Sequence, residues 1–485
     1  MAGTDGGPLP SPVTPADIAG LTADSRAVGP GVLFAALPGA RRDGRDFIAE
    51  AVQRGAAAIL APEGTEWPPG VPPRPLITAA DPRRALALMA AAFHGLQPER
   101  VVAITGTNGK TSTADFLRQI WGGTGARAAS LGTLGLVAEG FPVGETLTTP
   151  DPVSLHATLA ALAKGGVTHA AMEASSHGLD QRRLDGVRLA AAGFSNLTRD
   201  HLDYHGGMAA YRAAKLRLFD TLLAPGRPGV ANADMDGETL DALRGVAARR
   251  NIRLTTVGVA GGEIRLLSHA PLPEGQALEL DAFGTRASVT LPLVGRYQAD
   301  NVLLALALAV VTGTSVGRAL ETLPGLVGVR GRMELAARLP NGAAVYVDYA
   351  HTPDALERLL TALRPHARRL HVVFGAGGDR DPGKRPLMGA ACARLADVCT
   401  VTDDNPRSED PATIRAAIMA GMAAACPRAS EIGDREAAIA AAMAALAPGD
   451  VLALAGKGHE SGQTVRGVTT PFDDAAVVRR LAGLA

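Results

Sequence analysis

The chain has 485 residues, too many for one hydrophobic core, and its length suggests about three domains at roughly 150 residues each. Apolar residues make up 47% of it and aromatic residues only 4%, which excludes wholesale disorder and predicts cores built from Ala, Leu and Val. Lys plus Arg and Asp plus Glu both total 48, so the net charge is zero, and we expect no binding to nucleic acid or to an anionic membrane.

The cysteines and the N-terminus indicate the compartment. Cys392, Cys399 and Cys426 include no C-x-x-C pair, which favours buried thiols in a reducing compartment over disulfides or a zinc site. The N-terminus has no basic region followed by an apolar run, and no stretch reaches about 18 uninterrupted apolar residues. We therefore expect a cytoplasmic protein without a signal peptide or a spanning helix.

Residues 1–98 predict a small α/β domain. Val32–Leu37 and Ala57–Leu60 have the composition of short strands, and the stretch near Phe47–Gly55 between them has a helical pattern. A Pro-rich stretch follows at Glu63–Pro75. Alternation of strand and helix is typical of α/β modules.

Residues 99–332 predict a second α/β domain with repeated βαβ units. A strand that begins at Arg100 runs into a Gly-containing turn and then a helical pattern, and Ala299–Thr312 predicts a strongly apolar helix. Repeated βαβ units imply a parallel sheet buried on both faces. The further predicted strands are Ala170–Met172, Ala191–Phe194, Gly229–Ala231 and Ser288–Leu293.

Residues 333–485 predict a third, Rossmann-like domain. Its apolar strands are each followed by Gly, Asp or Pro and then by a helical pattern, which indicates an open doubly wound sheet with ligands at the carboxyl ends of its strands. The predicted strands are Val345–Val347, His371–Phe374, Val398–Thr402 and Val451–Ala455. The predicted fold class is therefore α/β, with three domains: a central parallel-sheet ATPase domain flanked by a small N-terminal α/β domain and a C-terminal Rossmann-like domain.

The strongest local motif predicts a phosphate-binding loop. It lies between a strand and a helix, so that the backbone N–H groups of the turn and the helix N-terminus would face phosphate oxygens. Lys110 would lie along the β- and γ-phosphates, and Thr111 would offer a hydroxyl to Mg²⁺. Ile104 stands where the full P-loop pattern has its first glycine, and the remaining alternative is a plain turn. The loop residues are Gly106, Thr107, Asn108, Gly109, Lys110, Thr111 and Ser112.

Four further residues of this domain are ambiguous from the sequence alone. Glu173 follows an apolar strand and could face a metal, although strand-end glutamates are often solvated. His201 and His205, four residues apart, could hold a metal if they lie on a helix, or could be hydrogen-bonded structural residues. Lys215, in a helical segment, has by itself the pattern of a surface lysine.

Four polar turns of the third domain each follow a strand, so they could converge on one crevice. Any one of them could be an ordinary turn, because Gly, Asp, Asn and Pro favour turns. Together they carry Arg380, Arg407, Lys457 and Glu460, and this mixture of charges suits a zwitterionic substrate. The four turns are Asp348–Pro353, Gly375–Arg385, Thr402–Arg407 and Gly456–Glu460.

Taken together, these motifs resemble the Mur ligase family, and the resemblance runs in order from Asp24 to Glu460. GTNGKT at 106–111 is shared with folylpolyglutamate synthetases, whereas EASSHGL at 173–179, NLTRDHLDYHG at 196–206 and FGAGGDRDPGKRPLMG at 374–389 are narrower. DNPR at Asp404–Arg407 marks family members that use meso-diaminopimelate rather than lysine. The resemblance implies an ATP-dependent, amide-bond-forming ligase that extends a UDP-linked muramoyl dipeptide in cell-wall precursor synthesis and acts as a monomer.

The resemblance also implies roles for individual residues. Lys110, Lys215 and His201 would be catalytic, with Lys215 carbamylated, and Thr111, Glu173, His201 and Lys215 would lie around Mg²⁺. ATP would contact, besides the phosphate loop, Tyr297, Asn301, Arg332 and Asp348. The UDP-linked substrate would contact Ser25, Ala40, Arg41, Arg42, Thr148, Thr149, Ser175, Gln181 and Arg183. The diaminopimelate pocket would comprise Arg380, Asp404, Asn405, Pro406, Arg407, Gly456 and Glu460.

Four alternatives remain. A folylpolyglutamate synthetase would share the phosphate loop but not the first domain or the DNPR motif. A lysine-adding relative would have no second carboxylate for Arg407 to bind. A nucleotide-dependent switch protein would not need the charged turns of the third domain, and a metal hydrolase built on His201 and His205 would not need the phosphate loop.

Overall fold

The computed structural model describes residues 18–39, 42–142, 147–422 and 429–484, and it is an α/β protein built on three main sheets. Helices in this described part of the chain are all too short or too polar to cross a bilayer. Cys392 and Cys399 are buried, as expected, and Cys426 lies outside the described residues.

The first sheet has four parallel strands in sequence order and is packed against two helices. The second helix begins at Pro82, with the Asp81 side chain accepting a hydrogen bond from the Arg84 N–H, a common way to start a helix. The elements are β1 (Gly20–Thr22), β2 (Val32–Ala35), α1 (Ile48–Gln53), β3 (Ala58–Pro62), β4 (Leu76–Ala79) and α2 (Pro82–His94).

The second sheet has ten strands in the order β14-β13-β12-β11-β10-β9-β5-β8-β6-β7. Its strands are β5 (Arg100–Thr105), β6 (Ala128–Gly132), β7 (Gly135–Ala138), β8 (His169–Glu173), β9 (Leu189–Phe194), β10 (Pro228–Asn232), β11 (Arg253–Gly258), β12 (Ile264–Leu272), β13 (Gly275–Ala282) and β14 (Thr285–Leu291). Its helices are α3 (Lys110–Gly123), α4 (Pro152–Lys164), α5 (Ser176–Asp180), α6 (Leu202–His205), α7 (Met208–Arg217), α8 (Gly237–Arg249), α9 (Arg296–Val311) and α10 (Val316–Thr322).

The expectation of an all-parallel second sheet holds only for its centre. β7, β13 and β14 are antiparallel to their neighbours, and the predicted strand at Ser288–Leu293 is part of antiparallel β14. In β12, buried and exposed residues alternate at the start, as expected where one face of an antiparallel ribbon is solvated. The parallel centre is covered on both faces, one core containing Phe116 and Trp121 and the other containing Phe194.

The third sheet has six strands in the order β15-β16-β20-β17-β18-β19, and all its pairings except β15 with β16 are parallel. This is the expected doubly wound arrangement. A separate two-stranded hairpin follows the last strand. The elements are β15 (Glu334–Arg338), β16 (Ala344–Asp348), α11 (Pro353–Leu363), β17 (Leu370–Phe374), α12 (Lys384–Leu395), β18 (Val398–Val401), α13 (Pro411–Met422), β19 (Ala429–Glu431), α14 (Arg435–Ala444), β20 (Val451–Ala455), β21 (Gly462–Val465), β22 (Val468–Pro471) and α15 (Asp474–Leu481).

Candidate active site

The loop between β5 and α3 has the geometry of an anion cradle. Gly106 and Gly109 have φ values of 139° and 86°, which L side chains rarely adopt. A Cβ at Gly106 would lie 1.9 Å from Ser195 Oγ, and one at Gly109 would lie 2.2 Å from Asn301 Oδ1. Within the described part of the chain, no side chain caps the N-terminus of α3, so its first N–H groups remain available to an anion.

Lys110 is folded back onto this loop. Its Nζ donates hydrogen bonds to the carbonyl oxygens of Gly106 at 2.9 Å and Thr107 at 2.8 Å. Burial lowers the pKa of Lys110, although the negative charge of Glu173 acts in the opposite direction. The ammonium group is therefore already held at the loop where the sequence predicts it to meet phosphate.

Lys215 is buried, and the sequence pattern that indicated a surface lysine is wrong. Its side chain on α7 is only 1% exposed, and its Nζ donates to the Gly106 carbonyl at 2.7 Å and lies 4.6 Å from the centre of the Tyr211 ring. The reason is that α7 packs this residue inward against the phosphate loop. Burial, with the positive charge of Lys110, lowers the pKa of Lys215 well below its usual range, which favours the neutral amine.

Glu173, at the end of β8, is 1% exposed, so the solvated alternative is wrong. Thr133 holds the carboxylate: its backbone N–H donates to Oε1 at 2.7 Å and its hydroxyl donates to Oε2 at 3.2 Å. A Cβ at Gly132 would lie 2.1 Å from Glu173 Oε1, so a glycine is required beside it. Sequence reasoning did not select Thr133, because no local pattern marks it.

The histidine pair does not lie on one helix. His201 has a φ of 52° and precedes α6, which begins at Leu202, so His201 and His205 do not share a helical face. The Asp200 side chain accepts a hydrogen bond from the His201 N–H at 2.9 Å, which fixes the turn. Among the described residues, no group of three or more His, Cys, Asp or Glu side chains is placed to hold a metal ion. The condition under which the pair was expected to hold a metal, that both histidines lie on a helix, is therefore not met.

Charge is concentrated around His201. Burial lowers the pKa of His201, and the positive charges of Lys110 and Lys215 lower it further against the effect of Asp200. Burial alone would raise the pKa of Asp200, but His201, His351 and Lys110 hold it below its usual range. Asp200 therefore remains a carboxylate near the buried Lys215 and the half-buried Lys110, and sequence reasoning did not select it.

These side chains surround a cleft of 470 Å³ between the second and third sheets. Most residues that were predicted to contact ATP and the metal line it, together with the unpredicted Asp200, Tyr211, His351 and Arg358. The predicted ATP and metal residues that line it are Thr107, Asn108, Gly109, Lys110, Thr111, Ser112, Glu173, His201, Lys215, Tyr297, Asn301, Arg332 and Asp348. Thr148 and Ser175, which were predicted to contact the UDP-linked substrate, line it as well.

The third-sheet side of the cleft is held by residues around Asp348. Its carboxylate accepts hydrogen bonds from the backbone N–H groups of Met333 at 2.7 Å and Ala350 at 2.8 Å, and burial raises its pKa. Arg332 lies 4.3 Å from the centre of the Tyr349 ring and donates to Thr111 Oγ1 at 3.4 Å. Arg332, which precedes β15, thus reaches the phosphate loop.

The residues of the predicted diaminopimelate pocket form a second cluster outside that cleft. Asn405 Nδ2 donates to Glu460 Oε2 at 2.7 Å, and Arg407 donates to the Gly378 carbonyl at 2.7 Å. Asp404 is buried, and its Oδ2 has no hydrogen-bond partner among the described residues. Pro406 is buried, whereas Arg380 is exposed and donates to the Asp379 carbonyl at 3.2 Å.

The two clusters meet at neighbouring strands. β16 and β20 are paired so that Asp348 lies opposite Ala455, and the Gly456 N–H donates to the Asp348 carbonyl at 3.1 Å. A Cβ at Gly456 would lie 2.3 Å from Asp404 Oδ2. The four polar turns of the third domain are therefore in mutual contact.

The residues predicted to bind the UDP-linked substrate lie in two places. Ser25 is buried in the first sheet's module and donates to Glu50 at 3.4 Å, and Arg42 is exposed near Phe47. Ala40 and Arg41 lie outside the described residues.

The remaining predicted substrate residues lie beside Glu173. Thr149 donates to the Glu173 carbonyl at 2.9 Å and accepts hydrogen bonds from Ser175. Arg183 donates to the Thr149 carbonyl and to Gln181 Oε1, both at 2.7 Å. Within the described residues, this network connects Thr149, Ser175, Gln181 and Arg183 to the end of β8.

Three family models match the chain. They are described as "Mur ligase family, catalytic domain" for residues 17–94, "Mur ligase middle domain" for residues 104–309 and "Mur ligase, glutamate ligase domain" for residues 331–458.

Similar curated proteins span nearly the whole chain. One from Caulobacter vibrioides is 56% identical over 466 residues, covering 95% of this chain and 94% of that protein. Another, from Rhizobium meliloti, is 52% identical and covers 96% and 94%. Both are named UDP-N-acetylmuramoyl-L-alanyl-D-glutamate–2,6-diaminopimelate ligase.

Solved structures are similar in fold. A structure of a UDP-N-acetylmuramoyl-L-alanyl-D-glutamate–2,6-diaminopimelate ligase is 34% identical, with a TM-score of 0.69, and covers 96% of this chain and 95% of that one. Mycobacterium tuberculosis folylpolyglutamate synthase, complexed with ADP and AMPPCP, is 20% identical, with a TM-score of 0.66, covering 83% and 95%. At that identity the second likeness concerns the fold alone.

Proposed function

Because this chain belongs to the Mur ligase family, we propose that it is an ATP-dependent ligase that adds meso-2,6-diaminopimelate to UDP-N-acetylmuramoyl-L-alanyl-D-glutamate. The observation that carries this proposal is the meeting of two clusters at adjacent strand ends. The phosphate loop and Asp348 face one cleft, and the DNPR cluster adjoins Asp348 through Gly456. A nucleotide and an amino acid bound there would lie side by side, as an ATP-driven ligase requires.

The cleft suits the triphosphate of ATP. Glycine at 106 and 109 lets the loop backbone curl where a Cβ would collide with Ser195 or Asn301, and the uncapped α3 N-terminus and Lys110 supply positive charge. Tyr297 and Asn301 would lie toward the adenine, and Arg332 and Asp348 would contact the nucleotide from the other side of the cleft.

The donor set near the loop also suits Mg²⁺, which prefers oxygen ligands. Thr111 offers a hydroxyl and Glu173 a carboxylate, and His201 and Lys215 line the same cleft. When bound, the metal would neutralise charge on the transferred phosphoryl oxygens.

Lys215 would add a further anionic ligand if it carries a carbamate. A neutral amine can attack CO₂, forming an N–C bond and releasing a proton, and burial lowers the pKa of Lys215 in the direction that favours this neutral amine. Carbamylation would also place an anion near the positive charge of Lys110, which disfavours a protonated Lys215.

The chemistry then follows from the arrangement. A carboxylate is a poor acyl donor, so the γ-phosphoryl group of ATP is first transferred to the D-Glu side-chain carboxylate, giving an acyl phosphate and ADP. The amine of diaminopimelate attacks the carbonyl carbon, and phosphate leaves from the tetrahedral intermediate. Arg380, Arg407, Asn405 and Glu460 would hold the charged groups of the amino acid. These steps need only small-molecule substrates, and we expect a cytoplasmic monomer.

The test is ATP-dependent phosphate release with UDP-N-acetylmuramoyl-L-Ala-D-Glu, comparing meso-diaminopimelate with L-lysine. Release with diaminopimelate and little with lysine is the expected result. Preference for lysine would retain the ligase reaction and contradict the amino-acid assignment, and no release with either amino acid would contradict the proposed reaction.

A further inference from the structure

The residues of the hairpin β21–β22 are largely exposed to solvent. It forms a separate two-stranded sheet, its Val465 and Val468 side chains are 36% and 65% exposed, and every residue of β22 is exposed. Isolated hairpins are at best marginally stable in water. Its attachment to the rest of the protein therefore determines its position.

That attachment is to the DNPR segment, Asp404–Arg407. Gln463 Nε2 donates to the carbonyl oxygens of Asp404 at 2.8 Å and Asp403 at 3.4 Å. The Thr464 N–H donates to Asn405 Oδ1 at 2.9 Å. One strand of the hairpin thus contacts the start of the segment through both a side chain and the backbone.

The same strand also fixes Arg407. The Arg407 N–H donates to the Thr464 carbonyl at 3.0 Å, and the Arg407 carbonyl accepts from the Arg466 N–H at 2.6 Å. Arg407 has a φ of 53°, a left-handed conformation that a non-glycine residue keeps only when its surroundings enforce it. The hairpin supplies that enforcement at the backbone from which the Arg407 guanidinium projects.

The start of β21, at Gly462, is held by a buried lysine. Lys457 is fully buried, and its Nζ donates to the Gly462 carbonyl at 2.6 Å and to Glu460 Oε2 at 3.3 Å. Asn405 donates to that same Glu460 oxygen. The hairpin, the DNPR segment and Glu460 therefore form one hydrogen-bonded unit.

We propose that Gln463 is a positioning residue for the amino-acid substrate: by holding the Asp403 and Asp404 carbonyls, it sets the DNPR backbone and thereby the preference for a second carboxylate on the amino acid. This inference rests on the proposed function and extends it to a residue with no charge and no contact with the nucleotide cleft. Gln463 acts through Asn405 and Arg407 and takes no part in the reaction itself.

The test is Gln463→Met, which keeps the length of the side chain and removes its donor. We expect the KM for diaminopimelate to rise about tenfold, which corresponds to the loss of roughly one hydrogen bond. The KM values for ATP and the UDP-linked substrate should stay unchanged. The ratio of diaminopimelate to lysine use should fall, and Gln463→Lys, which restores a donor, should recover much of it.

Thr469→Val is the matched control. It removes the Thr464–Thr469 hydrogen bond within the hairpin, 2.9 Å long, and touches none of the Asp403–Arg407 contacts. It should leave the diaminopimelate KM unchanged, even if it lowers the melting temperature. If Gln463→Met changes only the melting temperature, or raises all three KM values equally, the proposal is wrong. Wild-type enzyme that does not use diaminopimelate would instead contradict the proposed function.

Discussion

Two features of the phosphate loop require a glycine at position 109. Gly109 combines a left-handed backbone with a space that is closed by the side chain of Asn301. Either feature alone disfavours a side chain, and both lie at the point where the loop becomes the helix α3. The sequence pattern identifies the glycine, and the contact with Asn301 explains why nothing larger fits.

Gly109→Ala should therefore weaken nucleotide binding. Left-handed backbone costs an alanine ~1–2 kcal/mol, and the collision with Asn301 adds to this, so the Kd for a non-hydrolysable ATP analogue should rise about tenfold or more. Titration calorimetry measures it. Gly122→Ala, in the same helix with no atom near the new Cβ, is the control and should bind as wild type, with a slightly higher melting temperature. Equal binding by both variants would contradict the argument.

Lys215 leads to a second prediction at this scale. If its neutral amine carries CO₂, activity should fall in CO₂-depleted buffer and return when bicarbonate is added, because the carbamate loses CO₂ reversibly. Lys215→Arg, whose guanidinium stays protonated, should have little activity and no response to bicarbonate. Wild-type activity that ignores bicarbonate throughout would count against carbamylation.

At the scale of elements, the carboxyl ends of the parallel strands determine where the polar turns of the site lie. β16, β20, β17 and β18 are parallel neighbours, so the polar turns after them lie at one edge of the sheet. The turn after β18 carries the DNPR segment, and the Arg407 guanidinium contacts the turn after β17 through Gly378. Specificity for the amino acid is therefore built from several turns rather than from one motif.

Arg407→Ala should reduce diaminopimelate use far more than ATP binding. Removing a charge-assisted contact to a carboxylate costs ~1.5–3 kcal/mol, which corresponds to about a tenfold to hundredfold loss in kcat/KM for diaminopimelate. Steady-state kinetics with each substrate varied gives the comparison. Arg480→Ala, which removes an exposed arginine of α15 that pairs with Glu436, should change neither. Equal losses for diaminopimelate and ATP would refute the assigned role.

At the scale of the whole molecule, α11 links the third sheet to the phosphate loop. Asp354, in its first turn, accepts hydrogen bonds from Asn108 Nδ2 and Thr198 Oγ1, both at 3.3 Å, and from Arg358 at 3.1 Å. These contacts bridge elements on the two sides of the cleft, and we expect them to hold the cleft closed when the ligands are bound. A closed cleft excludes water, which would otherwise hydrolyse an acyl phosphate.

Asp354→Ala should favour the open arrangement. We expect a lower kcat and a larger radius of gyration in solution scattering with ATP analogue and the UDP-linked substrate present, whereas wild type becomes more compact. Glu357→Ala, on the same helix and at a residue that pairs with the exposed Arg394, is the control and should behave as wild type. No compaction of wild type with both ligands would contradict closure itself.

Stability should fall as the pH drops below neutrality. Within the described residues, every histidine whose pKa is shifted has a lowered pKa, and burial is the largest cause. These residues are His94, His156, His169, His201, His351, His366, His371 and His459. A histidine in the unfolded chain takes up its proton near pH 6.5, but the folded protein does not, so unfolding binds protons and becomes easier as pH falls.

His459 provides the test, because burial and the positive charges of Arg332 and Arg330 lower its pKa to about 4. His459→Gln removes its contribution, so the melting temperature should fall less steeply than in wild type as the pH is lowered from 6.5 to 4. Thermal unfolding across that range measures the slopes. Identical slopes would show that His459 does not take part.

By itself, the sequence determined the architecture and the identity of the main motifs. Apolar strand runs followed by turns and helical periodicity predict parallel sheets, because hydrophobic period and turn chemistry are local properties. The phosphate loop, the DNPR segment and the GKGHE turn at 456–460 were identifiable for the same reason. The antiparallel edge of the second sheet was missed, because strand direction depends on the strand's partner.

Which residues are buried together depends on the three-dimensional fold. Lys215 has a surface pattern along its helix, and packing against the loop makes it a buried amine with a lowered pKa. Thr133, Asp354 and Gln463 contact Glu173, Asn108 and Asp404, which lie 40, 246 and 59 positions away along the chain. No local pattern exists at such separations. Burial and long-range hydrogen bonds are properties of the folded chain, and these residues acquire their roles there.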